Sequence, residues 1–135
     1  EMEIIVSFQE DLPYGIHVTV MEVGEELVAV IEGGEKPHIG SVAVAIPHSS
    51  QRDPDATSST VSLYNVTGHR DDRLSSALAD LISRTFSRTT VVLAGIHLED
   101  ARDEDIAGIL DQMNRINARV IEMLKEHFRD HRSTG

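Results

Sequence analysis

The chain has 135 residues, of which 40% are hydrophobic and 26% charged, and this composition predicts one globular domain with a packed core. It contains no cysteine, which excludes disulfides, cysteine-ligated zinc and thiol catalysis. Its formal net charge of −11 disfavours binding to nucleic acid or anionic membranes, and no apolar run is long enough to span a bilayer. We therefore expect a cytoplasmic protein without a signal peptide or anchor, with residues 1–135 forming a single domain.

Alternating and β-branched apolar residues predict five strands in the first half of the chain. The predicted strands are Met2–Phe8, Ile16–Val23, Leu27–Ile31, Val42–Ile46 and Thr60–Val66. Short turns predict antiparallel pairing of consecutive strands, because parallel neighbours need a long crossover. The segment Pro47–Ser59 is polar and contains two prolines, which favours a mobile loop.

A helix and a sixth strand follow. Leu74, Leu78 and Ile82 recur at helical spacing, and Asp71 or Asp72 is expected to cap that helix. The run 91–97 is β-branched and apolar, which predicts a strand that ends at a histidine.

The last third of the chain is predicted to be one long helix. Asp100 or Asp103 is the expected cap, and residues 129–135 are expected to form a frayed tail. The helix carries an apolar stripe for packing on a sheet or a partner. The stripe consists of Ile106, Ile109, Leu110, Met113, Ile116, Val120, Met123, Leu124 and Phe128.

The predicted order β-β-β-β-β-α-β-α is typical of an α+β fold, with about six strands in an antiparallel sheet and two helices packed on one face. Several strands are apolar on both sides, so the second face of the sheet also needs cover. A homodimer formed sheet to sheet, or through the long helix, would supply it.

The loop GGEKPHIG at positions 33–40 is the first candidate for a ligand site. Its glycines admit unusual backbone angles and close approach to the main chain, its proline stiffens the segment, and its lysine and histidine add donors. Such a loop could cradle a phosphate or a polar ring, although a hairpin turn also explains the glycines. The residues concerned are Gly33, Gly34, Lys36, Pro37, His38 and Gly40.

Two further histidines also lie at the ends of predicted elements. His69, Arg70 and Asp71 precede the first helix, where free amides and a guanidinium favour an anion, although the segment could simply be a cap. Gly95 and His97 close the sixth strand. Three histidines and an aspartate could instead bind a divalent metal, but their spacing is not that of a strong metal motif.

Together, three segments resemble the LpdD family, which is named after a protein that accompanies a UbiD-type gallate decarboxylase. The segments are GGEKPHIGSV at 33–42, His69-Arg70-Asp71, and Ala94-Gly95-Ile96-His97, in that order. The resemblance runs from about Leu27 to about Ile109.

The resemblance implies a small dimeric protein with the fold of proteasome-assembly chaperones. It also implies a cofactor chaperone, not an enzyme, that binds reduced prenylated FMN and delivers it to an apo-decarboxylase of the UbiD type. The cofactor-binding positions carried over by motif are Gly33, Gly34, Lys36, Pro37, His38, Gly40, His69, Arg70, Asp71, Gly95 and His97. Two other hypotheses remain open: a metal-dependent enzyme using His38, His69, His97 and Asp71, and a protein-assembly chaperone without a small ligand.

Overall fold

The computed structural model describes residues 2–66 and 71–131, which form one six-stranded sheet and two helices. The strands are β1 (Met2–Glu10), β2 (Ile16–Val23), β3 (Glu26–Gly34), β4 (Ser41–Ser49), β5 (Thr57–Asn65) and β6 (Thr90–His97). The helices are α1 (Asp72–Phe86), between β5 and β6, and α2 (Asp103–Asp130), after β6. The predicted order of elements is confirmed.

The sheet has the strand order β1-β2-β3-β6-β4-β5. Its pairs are antiparallel except for β3 and β6, which run parallel with Leu27 opposite Thr90 and Gly34 opposite His97. The α+β prediction is therefore confirmed, with a sheet that is mixed and mostly antiparallel. The parallel pair is possible because β4, β5 and α1 together form the long crossover that such a pair requires.

The mobile loop predicted over residues 47–59 is wrong in extent. Strand β4 continues to Ser49 and β5 begins at Thr57, with Pro47 opposite Ser59 in the ladder. A proline is tolerated there because β6 pairs with β4 only as far as Ala45, so beyond that residue β4 has a strand on one side only. What remains of the loop is a short turn at 50–56.

Both helices pack on one face of the sheet, as predicted. Inward-facing residues of β2, β3, β4 and β6 meet the apolar stripes of α1 and α2 in one continuous core. Its largest fully buried side chains are Ile16, Leu27, Ile31, Leu78, Ile82, Met113, Ile116 and Leu124, with Gln112 and the valines at 18, 20 and 92. The short side chains of Ala43, Ala45 and Ala79 let α1 lie close to β4.

The opposite face of the sheet, here called the open face, carries no helix among the described residues. Its central positions are apolar and half-buried: Val28, Val30, Val42, Val44, Val91 and Leu93. Towards one edge, Ile46 is 55% exposed and Tyr64 is 73% exposed. This face is the apolar surface that the sequence predicted to need cover.

Neither helix in the part of the chain that the structure describes combines the length and apolarity needed to cross a membrane.

Helix α2 differs from its prediction at both ends. Its first residue is Asp103, and the N-cap position is held by Arg102, whose backbone N–H donates to Asp105 Oδ2 at 2.9 Å. The expectation that Asp100 or Asp103 is the cap is therefore wrong, because the carboxylate three residues inside the helix reaches back instead. The helix also continues to Asp130, so the first two residues of the predicted tail are helical.

The turn between β1 and β2 is fastened to α2 by Tyr14. Gln112, which is fully buried, accepts a hydrogen bond from the Tyr14 backbone N–H at 3.0 Å and donates one to the Tyr14 carbonyl at 2.8 Å. The Tyr14 hydroxyl donates to Asp105 Oδ1 at 2.8 Å. These bonds fix the first half of α2 over the end of the sheet at which the β1–β2 turn lies.

The contact between Tyr14 and Asp105 changes the pKa of both groups. The hydrogen bond from the Arg102 backbone N–H, and then the one from Tyr14, lowers the pKa of Asp105 below 3.8. The same contact raises the pKa of Tyr14 above 10.0. A lowered carboxyl pKa contributes stability above pH 3.8 that is lost as the pH falls through the lowered value. A raised phenol pKa contributes stability below pH 10.0 that is lost as the pH rises through the raised value.

We predict that Tyr14→Phe lowers the thermal unfolding midpoint by a few degrees at neutral pH, because Asp105 loses a donor. The difference from the native protein should shrink as the pH is lowered below 3.8. Circular dichroism melts between pH 2.5 and pH 8 would measure it, with Thr85→Val, at an exposed position of α1, as the control. A difference that is the same at every pH would show that the hydrogen bond is not its source.

Candidate functional site

The topology gathers the three predicted segments at one end of the sheet. Because β3 and β6 are parallel, both finish there, with Gly34 opposite His97. Strand β4 is antiparallel to β6 and begins there, with Ser41 opposite Ala94. Helix α1 also starts there, since it follows β5, which ends opposite the start of β4. We call this region the site end of the sheet.

The loop 35–40 lies directly across the end of β6. The Glu35 N–H donates to the His97 carbonyl at 2.8 Å, and the Gly40 N–H donates to the Ala94 carbonyl at 2.8 Å. A Cβ atom on Gly95 would overlap the carbonyl oxygen of His38. The glycine of the third segment is therefore what lets the first segment cross the strand.

Gly33 and Gly34 have a comparable role in main-chain packing. A Cβ atom on Gly33 would overlap the Gly15 carbonyl oxygen, and one on Gly34 would overlap the His97 carbonyl oxygen. Gly34 also has a φ of +79°, a conformation that side chains disfavour. Close backbone approach accounts for both glycines, and their contact with a ligand stays a prediction.

Asp71 links the second segment to the other two. The residue is buried, with only 5% of its surface exposed. Carboxylate oxygen Oδ1 accepts a hydrogen bond from the Ile96 backbone N–H at 3.0 Å. The other oxygen, Oδ2, lies 3.7 Å from His38 Nε2. The expectation of a side-chain cap on α1 is wrong, because this carboxylate makes no capping bond to the helix. The Asp71 main-chain carbonyl instead accepts the N–H groups of Leu74 and Ser75.

The two described histidines of the motif meet at this point. The rings of His38 and His97 are perpendicular, with centroids 5.6 Å apart. His38 Nδ1 lies 3.4 Å from the Lys36 carbonyl, and His97 Nε2 lies 3.2 Å from Glu99 Oε1. Both residues are partly exposed beside loop 35–40.

Five predicted positions remain, three among the described residues and two outside them. Lys36 and Pro37 are exposed on loop 35–40, while Gly40 is buried and uses both of its backbone groups, its carbonyl accepting the Val66 N–H at 2.8 Å. His69 and Arg70 lie outside the described residues. Their predicted proximity to His38 and His97 therefore stays a prediction.

A cleft of about 670 Å³ opens beside the paired histidines, between the first turn of α1 and the first half of α2. It shares Asp71 and His97 with the site just described. Its other lining residues are Asp72, Arg73, Leu74, Ile96, Leu98, Ala101, Asp103, Ile106, Ile109 and Leu110. Sequence reasoning missed this cleft because its α2 residues belong to the same apolar stripe as the core.

Within residues 2–66 and 71–131, no group of three or more His, Cys, Asp or Glu side chains is placed to hold a metal ion. His38 Nε2 is directed to Asp71, and His97 Nε2 to Glu99. The metal-dependent hypothesis thus gains no support from the described residues.

We predict that Asp71→Ala destabilises the fold by about 1–3 kcal/mol, because the partly buried Ile96 N–H loses its acceptor. Asp71→Asn keeps an acceptor oxygen and should recover most of that loss. Urea unfolding would measure both, with Asp111→Ala, at an exposed position of α2, as a control expected within about 0.5 kcal/mol of the native protein. Equal stability of the alanine variant and the native protein would contradict this role.

Comparison with known proteins agrees with the family resemblance. A family model described as the prenylated flavin chaperone LpdD-like domain matches residues 10–125. Protein LpdD of Lactiplantibacillus plantarum is 26% identical over 120 residues, which cover 87% of this chain and 83% of that protein.

A chain in a crystal structure of a chaperone complex for yeast 20S proteasome assembly has the same fold, with a TM-score of 0.60. The comparison covers 93% of this chain and 97% of the yeast chain at 15% identity, so the likeness concerns the fold alone. The resemblance drawn from the sequence motifs is confirmed in both family and fold. The chain belongs to the prenylated flavin chaperone LpdD-like family.

Proposed function

We propose that this protein is a cytoplasmic, non-enzymatic carrier that binds reduced prenylated FMN and delivers it to a UbiD-type decarboxylase. The observation that carries the proposal is the meeting of His38, Asp71 and His97 at the site end of the sheet, in a chain of this family. The three residues come from different segments and are brought together by the parallel pairing of β3 and β6.

The partly exposed histidines suit the polar edge of a flavin ring. Lys36 and Asp71 engage the His38 ring, whereas His97 Nε2 faces the exposed carboxylate of Glu99, a contact that a flavin edge would replace with its own hydrogen bond. Asp71 accepts the Ile96 N–H and faces His38, so it can hold that ring in a fixed orientation. A ligand meeting such a preorganised edge loses less conformational freedom from the protein side.

The flavin phosphate needs positive charge, and the start of α1 offers little. Asp71 and Asp72 lie at the first turn, and their carboxylates oppose the favourable partial charge of the helix N-terminus. Lys36 is exposed on loop 35–40, two residues before His38. We therefore assign the phosphate to Lys36 and to Arg70, the cation of the second segment.

The arrangement favours carriage over catalysis. A carrier must bind a cofactor at a surface from which a second protein can take it, and His38 and His97 are partly exposed at one end of the sheet. Membership in a chaperone family agrees with an accessory role. The fold shared with the yeast chain is not by itself evidence that this protein assembles other proteins.

We predict that the native protein binds reduced prenylated FMN in an anaerobic titration followed by absorbance, and that His38→Ala with His97→Ala weakens binding about 10- to 100-fold. The magnitude corresponds to one or two lost hydrogen bonds. The loaded native protein should restore activity to an apo-decarboxylase of the UbiD type, and the loaded double variant should do so less well at equal concentration.

His48→Ala serves as the matched control, because His48 is exposed on β4 beyond the end of its pairing with β6, opposite to the site end. It should leave the titration unchanged. Failure of the native protein to bind, under conditions in which Protein LpdD binds, would contradict the proposal. Binding that survives loss of both histidines would instead place the ligand elsewhere on the chain.

We also propose that two copies pair through their open faces. The centre of that face consists of valine and leucine side chains from β3, β4 and β6, without a charged residue among them. The charged residues of these strands on the same face, Glu26 and Glu32, lie towards the ends of β3. A neutral apolar centre can be buried against a second copy despite the net charge of −11.

Val30→Lys is expected to convert the dimer to a monomer, because it puts an unpaired ammonium in the centre of the buried surface. The dimer dissociation constant should rise at least about a hundredfold, since unpaired buried charge costs several kcal/mol. Sedimentation equilibrium at micromolar concentration would measure it, with Thr85→Lys, at an exposed position of α1, as the control. A variant that remains dimeric, or a native protein that is monomeric at these concentrations, would exclude this interface.

A further inference from the structure

The cleft between α1 and α2 gives the proposed carrier a second recognition element. We propose that it receives the apolar, prenyl-bearing end of the flavin and thereby selects prenylated over unprenylated cofactor. This inference rests on the proposed function, and the cleft is continuous with that site through Asp71 and His97. A ligand whose polar edge contacts the histidines can therefore extend into the cleft without leaving the site.

One part of the cleft wall has the apolar side chains that a prenyl group needs, while charged side chains line the rest. Leu74 comes from α1, Ile96 and Leu98 from the end of β6, and Ile106 and Leu110 from α2. Ile106 and Leu110 lie one helical turn apart and face the same side of α2. A five-carbon group between these walls would remove apolar surface of both ligand and protein from water.

Two α2 residues of the cleft, Ile106 and Leu110, are less covered than the middle of their stripe. Met113, Ile116, Val120 and Leu124 are at most 2% exposed. Ile106 and Leu110 are only half-buried, although they continue the same stripe towards the helix start. The apolar stripe of α2 thus extends beyond the part of the sheet that covers it and forms one wall of the cleft.

Charge determines which end of the ligand enters. Among the described lining residues, the carboxylates of Asp71, Asp72 and Asp103 outnumber the single guanidinium of Arg73. A phosphate inside the cleft would face this excess negative charge at short range, where screening is weakest. The flavin therefore enters with its uncharged, prenylated end first, and its phosphate stays outside the cleft for the cations assigned to it above.

The size of the cleft agrees with this assignment. About 670 Å³ falls within the roughly 300–1,000 Å³ of typical small-molecule sites. The cleft can thus accommodate the prenylated end with part of the ring system. The phosphate end remains accessible to the protein that takes up the cofactor.

The test compares the affinities of one protein for two ligands. Reduced FMN and reduced prenylated FMN are titrated anaerobically into the native protein, Leu110→Gln and Ala101→Trp. The native protein should prefer the prenylated form about tenfold or more, as expected for a few added carbons in an apolar pocket. Leu110→Gln makes one wall polar and Ala101→Trp fills the cleft, so each should reduce the ratio of the two affinities about tenfold.

Ala107→Gln is the matched control for Leu110→Gln, because Ala107 is exposed on the same helix and does not line the cleft. It should keep the native ratio. Equal affinity of the native protein for both flavins, or a native ratio in both folded cleft variants, would overturn the inference while leaving the carrier function intact. A native protein that binds neither flavin would overturn the proposed function and this inference together.

Discussion

The candidate site depends on one buried carboxylate. Asp71 accepts the backbone N–H of Ile96 through one oxygen and faces the His38 ring with the other, so it ties the start of α1 to β6 and to loop 35–40. At 5% exposure, a carboxylate needs such partners to offset its loss of hydration. The same side chain that holds the fold at this point therefore also positions a group that faces solvent.

Main-chain packing makes that arrangement possible. Loop 35–40 crosses the end of β6 so closely that Gly95 has no room for a side chain, and Gly34 packs equally closely against His97. These glycines bring His38 and His97 to ring contact, because each removes a Cβ atom from between two backbones. Their contribution to a ligand site is thus first geometric: they set the distance between the side chains that present polar groups.

Local pattern predicted most of the fold. Strand alternation and helical spacing located all eight elements, because each has apolar residues at the spacing of a strand or a helix. The errors arose where contacts distant in sequence, or neighbouring side chains, set the bounds of an element. Pro47 is accommodated in β4 because β6 does not reach it. Asp105 takes the capping role expected of Asp100 or Asp103. The parallel pair of β3 and β6 joins residues some sixty positions apart, which no local pattern encodes.

The site was predictable only in part, for the same reason. The motifs identified His38, Asp71 and His97, and the structure brings these three together. They did not identify Ile106 and Leu110, whose spacing is the same whether a helix face is covered by a sheet or by a ligand. Periodicity reports which face of a helix is apolar, whereas burial along that face depends on where the sheet ends.

An acidic carrier for an anionic cofactor is physically reasonable when affinity and release are considered together. At physiological ionic strength charges are screened beyond about 8 Å, so the net charge of −11 acts on a bound phosphate mainly through nearby groups such as Asp71 and Asp72. In the proposed carrier, apolar contact in the cleft supplies affinity, while these carboxylates keep the phosphate at the surface. A ligand held by its apolar end and exposed at its charged end presents to a receiving protein the group that a cationic site can bind first.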